Sequence, residues 1–305
     1  MKRLLLPFPA QAELARQVAG PLHAPVGELT WRRFPDGESL VSVDTAVADA
    51  EVAILASLRD PDSLAVALRL ASDTARELGA RRVGLIAPYL GYMRQDQRFA
   101  PGQAVSARSF ARMLEQGFDW LVTADPHLHR IGALAEIFSI PTVTVACAPL
   151  LGDWIAAHVP APLVIGPDAE SAQWAAAIAA RAGAPWQVLR KVRRGDREVE
   201  VSIPDVAAAQ GRTAVIVDDI ISTGRTAIAA TAHLRRLGLP VVCVAIHAVF
   251  AAGAYEDLLA AGAQRIVSTD AIAHPSNAIG IGALLAQATA ELLDAGPPTP
   301  IRTDT

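Results

Sequence analysis

The chain has 305 residues, 52% of them hydrophobic and 19% charged, with a net charge of −4 at pH 7. Such a composition supports one large or two medium folded domains and excludes a disordered chain. The slightly acidic balance gives no global attraction to nucleic acid or to a membrane surface, so any anion site has to be built locally.

At the N-terminus, the apolar run of MKRLLLPFPAQ is too short for a signal peptide and is broken by Pro7 and Pro9. Arg3 to Leu6 therefore reads as a first buried strand. Further strands are predicted at 40–43, 52–57, 83–87, 120–123, 142–145, 163–165, 214–217, 241–245 and 265–268. Helical periodicity occupies 64–78, 106–115, 169–182, 226–237 and 255–261. The strands are apolar throughout rather than alternating, which predicts parallel strands covered on both faces and an α/β class. The longest apolar stretch, 241–255, carries His247 and falls short of a membrane span. Cys147 and Cys243 lie far apart in apolar runs, outside any CxxC pair. They read as small buried hydrophobes in a reducing, cytoplasmic protein.

DTARELGARRVGLIAPYLG, from Asp73, matches TAHLRRLGLPVVCVAIHAVF, from Thr231. Each is a helix closed by Leu-Gly (Gly79, Gly238) and followed by a strand, with glycine where a helix takes its C′ residue. A strand and a polar turn precede both copies. Two similar halves are predicted, 1–148 and 149–294, followed by a mobile tail from Ala295 that has no periodic apolar positions.

Six polar stretches interrupt this pattern. RRFPDGES (32–39) holds a Pro-Asp-Gly turn, with Phe34 as a stacking face and Asp36 and Glu38 as acceptors on either side of Gly37. PYLGYMRQDQRF (88–99) presents Arg94, Gln95 and Arg98, whose guanidinium groups offer forked donors to phosphate; a solvated polar loop is the alternative. ADPHLHRI (124–131) puts His127 and His129 at a strand end, without an obvious third zinc ligand. IGPDAES (165–171) places Asp168 at another strand end. LRKVRRGDREVEV (189–201) carries Lys191 and Arg193 on a basic hairpin, where no interleaved aromatic or wider basic face suggests nucleic acid.

VIVDDIISTGRTA (215–227) is the most informative. A buried strand leads to Asp218 and Asp219, then to Ser222, Thr223, Gly224, Arg225 and Thr226 at the start of a helix. Ligands in open α/β sheets sit beyond the carboxyl ends of strands. Backbone N–H groups and the positive helix end suit a phosphate. Two carboxylates do not; they suit sugar hydroxyls or hydrated Mg²⁺. The parts together describe a sugar-phosphate site. No GxxxxGK[ST] loop occurs in the chain.

Residues 217–226 resemble the PRPP-binding motif of the phosphoribosyltransferase superfamily. FPDGE, the PYLGYMRQDQRF segment, the His127-to-Ile131 spacing, Asp168 and the Lys191/Arg193 pair resemble, in combination, the ribose-phosphate pyrophosphokinases (PRPP synthases) of the shorter, archaeal-like class. The likeness runs from about residue 3 to 290. It implies two phosphoribosyltransferase-like domains, each a mainly parallel sheet flanked by helices. The first would serve ATP and the second ribose 5-phosphate. It implies ATP contacts at Phe34, Asp36, Gly37, Glu38, Arg94, Gln95 and Arg98, with the Phe34 loop acting across a subunit interface in an oligomer that is at least a dimer. It implies Mg²⁺ at His127, with His129 a competitor, and at Asp168. Lys191 and Arg193 would be catalytic, Arg193 also meeting ribose 5-phosphate along with Asp218, Asp219 and Ser222 to Thr226. Three departures stand out. Gly166 replaces the family's serine before Pro-Asp, Glu170-Ser171 replace its Gly-Gly, and Arg225 stands where glycine or alanine is usual. A phosphoribosyltransferase and a catalytically silent synthase-like subunit are the rival readings.

Overall fold

The computed structural model describes residues 2–128, 130–168, 171–194, 198–202, 205 and 207–295. His129, Ala169, Glu170 and the tail from Gly296 lie outside the described residues. In chain order the elements are β1 (Arg3–Pro7), α1 (Ala12–Leu22), β2 (Leu29–Arg33), β3 (Ser39–Val43), β4 (Glu51–Leu55), α2 (Pro61–Glu77), β5 (Arg82–Ala87), α3 (Ser106–Glu115), β6 (Leu121–Ala124) and β7 (Thr142–Val145). There follow α4 (Ala148–His158), β8 (Pro162–Gly166), α5 (Ala172–Ala182), β9 (Trp186–Val188), β10 (Arg190–Arg194), β11 (Glu198–Ser202), β12 (Thr213–Ile221), α6 (Arg225–Arg236), β13 (Val241–Ala248), α7 (Ala254–Ala260), β14 (Arg265–Thr269), β15 (Asn277–Ile279) and α8 (Gly282–Asp294).

The chain divides into two compact units, one ending at Val145 and joined by the residues from Ile281 onward, the other running from Ala146 to Gly280. In the first, a parallel sheet runs β1-β4-β5-β6-β7, and β2 and β3 form a separate antiparallel hairpin. In the second, a parallel sheet runs β15-β14-β13-β12-β8-β9, with β10 and β11 as a second hairpin. The apolar strands are buried as their composition requires: every residue of β4 and of β13 is buried.

The repeated unit is recovered in both halves. In α2, Leu64, Ala67, Leu68, Ala71 and Ala75 are buried, and in α6, Ala227, Ala230, Thr231 and Leu234. Both sets follow the three-and-four spacing of one helical face. Gly79 and Gly238 close these helices at φ +92° and +79°, in the left-handed region that glycine enters without a Cβ clash.

Helix α8 follows the second sheet in the chain but packs against α1, β6 and β7. The sequence pattern had assigned residues up to 294 to the second half. The approach to α1 is close because Gly282 has no side chain; a Cβ there would lie 2.3 Å from the Gln17 Cβ. Among the described residues no helix is long and apolar enough to cross a membrane. Cys147 and Cys243 are buried and form no disulfide, as their apolar surroundings suggested.

Candidate active site

The second unit assembles its polar groups at the carboxyl edge of the sheet. Strand β12 is longer than its apolar core suggested. It continues to Ile221, with Asp218 opposite Ala245 and Ile220 opposite His247 of β13. Asp218 and Asp219 therefore stand on the last part of the strand rather than in the turn after it. Both are partly buried. The Asp219 carboxylate accepts the N–H of Ile220 at 2.8 Å. Burial, first, then the Asp219 carboxylate and after it the charge of Asp168 raise Asp218 well above the usual carboxylate range.

The turn proper is Ser222 to Gly224. Ala251 N–H donates to the Ser222 carbonyl at 3.1 Å, which ties the turn to the segment after β13. Gly224, buried and at φ +68°, is the N-cap of α6; it has no side chain to cap the helix, so no side chain covers the helix's first N–H groups. Arg225 and Thr226 open the helix, one residue earlier than predicted, and both are exposed, as is Thr223; Ser222 is partly buried. Behind the turn, Thr231 Oγ1 lies 3.7 Å from Cys243 Sγ. Burial pushes that thiol up to about 12, so Cys243 is a packing group and not a nucleophile.

Asp168 follows β8, the strand beside β12. Its conformation is held by one residue that sequence reasoning treated only as a departure. Ser171 N–H donates to Asp168 Oδ1 at 3.2 Å and Ser171 Oγ donates to the Asp168 carbonyl at 2.6 Å. Asp168 N–H approaches Ser171 Oγ at 3.3 Å. The signal was present in the sequence as the paired change at 166 and 171. Lys191 and Arg193 lie on β10, opposite Val201 and Val199 of β11; their side chains lie outside the described part of the structure.

In the first unit, Phe34 to Glu38 close the β2–β3 hairpin. Phe34 N–H donates to the Glu38 carbonyl at 2.8 Å and Gly37 N–H to the Phe34 carbonyl at 2.9 Å. The Asp36 carboxylate accepts Glu38 N–H at 3.1 Å. The Phe34 ring is 38% exposed, with the Arg32 guanidinium 4.9 Å from its centre. The hairpin tip is thus an exposed aromatic face beside two exposed carboxylates.

The loop after β5 presents Arg94, Gln95 and Arg98 at the surface. Arg98 Nε donates to the Gln103 carbonyl at 2.9 Å, and Gln95 Oε1 accepts the Ser106 hydroxyl at 2.5 Å, joining this loop to the start of α3. Two backbone outliers flank these loops: Tyr92 at φ +67°, and Asp125, just after β6 and two residues before the partly buried His127, at φ +33°. A non-glycine residue held at such angles costs of order 1–3 kcal/mol and tends to mark functional sites. Asp96, which sequence reasoning passed over, is buried and joins this loop to the one carrying His127 through Arg130. Among the described residues no three His, Cys, Asp or Glu side chains converge as a ready metal cage.

The family model for the N-terminal domain of ribose phosphate pyrophosphokinase matches residues 4–117. A phosphoribosyl transferase domain model matches 135–284. A ribose-phosphate pyrophosphokinase of Methanopyrus kandleri is 36% identical over 92% of this chain and 96% of its own. The chain belongs to the ribose-phosphate pyrophosphokinase family. The pyrophosphokinase of Halobacterium salinarum is 34% identical over 88% of this chain and 94% of its own. The crystal structure of phosphoribosylpyrophosphate synthetase from Mycobacterium smegmatis superposes with a TM-score of 0.83, at 27% identity, over 97% of this chain and all of that one. The two model matches cover both halves, which a single-domain phosphoribosyltransferase does not require. The archaeal pyrophosphokinases match this chain over nearly their whole length.

Proposed function

We propose that this pyrophosphokinase transfers the diphosphoryl group of ATP to the 1-hydroxyl of ribose 5-phosphate, giving AMP and PRPP. The observation that carries the reading is the edge of the second sheet, where Asp218 and Asp219 precede a phosphate-type turn into α6 beside Asp168. The second unit would take the sugar phosphate and the first the nucleotide. Asp218 and Asp219 accept hydrogen bonds from the ribose hydroxyls, and the 5-phosphate lies on the Ser222–Thr226 turn, where backbone N–H groups and the helix end favour an anion.

In the reaction the sugar O1 forms a bond to the β-phosphorus. The bond from that phosphorus to the α,β-bridging oxygen breaks, AMP leaves with the bond's electrons, and the hydroxyl proton is released. The charge is spread over phosphoryl oxygens, so positioning and fixed positive groups carry the catalysis. Lys191 and Arg193 are assigned to the transferring group, Arg193 also to the sugar phosphate; losing one such preorganised donor typically costs about 3 kcal/mol. Arg94, Gln95 and Arg98 are assigned to ATP, the two guanidinium groups to its phosphates. Phe34, Asp36, Gly37 and Glu38 are assigned to the adenine.

His127 and Asp168 are assigned contacts to Mg²⁺. The donor chemistry fits: Mg²⁺ takes one or two protein groups and completes its shell with water and substrate phosphate oxygens. Bound there with ATP, it would neutralise charge on the phosphates. The exposed Phe34 face supports an oligomer of at least two chains in which the hairpin serves a neighbour's nucleotide. Two buried cysteines that form no disulfide support a cytoplasmic location.

A coupled assay with ATP, Mg²⁺ and ribose 5-phosphate tests the reading. AMP formed one-for-one with PRPP, and only when the sugar is present, is expected. ADP as the product would mean γ-phosphoryl transfer and would overturn the mechanism. No product with nucleotide bound would favour the silent-subunit reading.

A further inference from the structure

Asp96 sits between exposed Gln95 and partly buried Gln97 in the loop after β5, and its side chain is only 1% accessible. A buried carboxylate in a polar loop requires partners. Both of its oxygens reach the loop after β6: Oδ2 accepts the backbone N–H of Arg130 at 3.1 Å, and Oδ1 accepts Arg130 Nη1 at 3.0 Å. The same guanidinium lies 5.7 Å from the centre of the Phe99 ring, back on the first loop. Phe99 is itself 58% exposed. The two loops are therefore joined by a charge-assisted pair whose carboxylate is buried and by a cation–π contact, three residues from His127.

We propose that Asp96 is a positioning residue that holds the Arg94–Arg98 loop and the His127 loop in one arrangement, so that binding of Mg²⁺-loaded ATP depends on it although it touches neither. The inference rests on the assignment of those loops to nucleotide and metal made above. Its physical basis is that a loop with a strained residue at Asp125 keeps one conformation only if its neighbours over-determine it. Asp96 fixes both the main chain and the side chain of Arg130. Residues that orient a metal-ligand loop without ligating typically change metal affinity or activity 10- to 100-fold when lost.

The test compares Asp96→Asn, Arg130→Met, Arg130→Lys and His127→Ala in the full-length protein. KM for ATP, KM for ribose 5-phosphate, kcat and the Mg²⁺ concentration for half-activity are measured for each. Asp96→Asn is expected to raise KM for ATP and the Mg²⁺ requirement about 10-fold, leaving KM for ribose 5-phosphate within about two-fold. Arg130→Met, at an exposed position that keeps the backbone bond, should show the same split more weakly, with Arg130→Lys restoring part of it. If Asp96→Asn fails to fold, Arg130→Met carries the test. Wild-type constants in the folded variants, or an equal loss for both substrates, would overturn the inference. An impaired His127→Ala beside a normal Asp96→Asn overturns this inference alone. A His127→Ala enzyme with an unchanged Mg²⁺ requirement brings down the His127 assignment, and with it the metal half of the proposal.

Discussion

A Cβ on Gly166 would lie 2.6 Å from the hydroxyl oxygen of Ser171. That hydroxyl holds the Asp168 main chain. Relative to the family's Ser-Pro-Asp motif with its following Gly-Gly, the hydroxyl and the glycine have exchanged sides of the turn, and the two changes fit one another sterically. Gly166→Ser alone should overpack the turn and destabilise the protein by about 1–3 kcal/mol, with a loss of activity as Asp168 shifts. Gly166→Ser combined with Ser171→Gly should recover most of both. Thermal melts and kcat for the two single variants and the double variant check this. Additive losses would show that the positions are not coupled.

Asp218→Asn with Asp219→Asn should raise KM for ribose 5-phosphate at least 10-fold or abolish turnover, because neutral amides turn donors toward hydroxyls that the carboxylates accept from. Desolvation and mutual repulsion already strain Asp218 in the folded chain, so the double variant should melt no lower than the parent. Functional groups held at a cost to stability behave this way. Steady-state kinetics and a thermal scan report the two effects separately. Unchanged KM would mean that this edge of the sheet does not receive the sugar.

How much of this was legible beforehand follows from the physics of each element. Strands β4, β5, β12 and β13 are buried on both faces, so their composition announces them. The predicted strand 40–43 is β3 and the basic hairpin read at 189–201 is β10–β11, whereas β2, with Trp31 between polar and charged residues and mostly outside the core, leaves no run of apolar residues to read. Helix α1 was hidden by Gly20 and Pro21 in its last turn, which read as punctuation, yet Leu14, Ala15, Val18 and Leu22 form its buried face. Two acids in a row read as a turn, whereas β12 keeps pairing with β13 as far as Ile221 and Ala248. Asp96 gave no sign at all, since nothing local in a polar loop shows which residue is turned inward.

Glu51 supplies a pH dependence of stability. It starts β4, 4% accessible, with Oε1 3.6 Å from Arg82 Nη1. Burial raises it above its ordinary value of 4.5, against the opposing pull of Arg82. The folded chain therefore favours the protonated form. This stabilisation is complete below the unfolded value and is lost as pH rises through the higher folded one. Glu51→Gln keeps the volume and removes the charge, so its melting temperature should fall less than the parent's between mildly acid and neutral pH. Parallel pH slopes for the two proteins would contradict this.

Lys191→Ala should fold normally and lose about 100- to 1,000-fold in kcat, the usual effect of removing one preorganised donor to a developing charge. KM for ATP should change far less, because the interaction is assigned to the transferring group in the transition state. A fully active variant would remove Lys191 from the mechanism.

Arg225 is the residue at which this chain departs from its family in the phosphate turn itself, and its placement decides between two effects. A side chain filling the turn would exclude the 5-phosphate. Arg225 instead occupies the first position of α6 and is exposed, where a positive charge adds to the field of the helix end without occupying the turn. Arg225→Ala should therefore raise KM for ribose 5-phosphate by about two- to five-fold, the range of a solvent-exposed ion pair, and the difference should shrink as salt is added. Arg225→Gly should behave alike at the kinetic level while costing some helix stability. KM measured at low and high ionic strength gives the answer. A variant that binds the sugar phosphate more tightly than the parent would show that the arginine obstructs the turn.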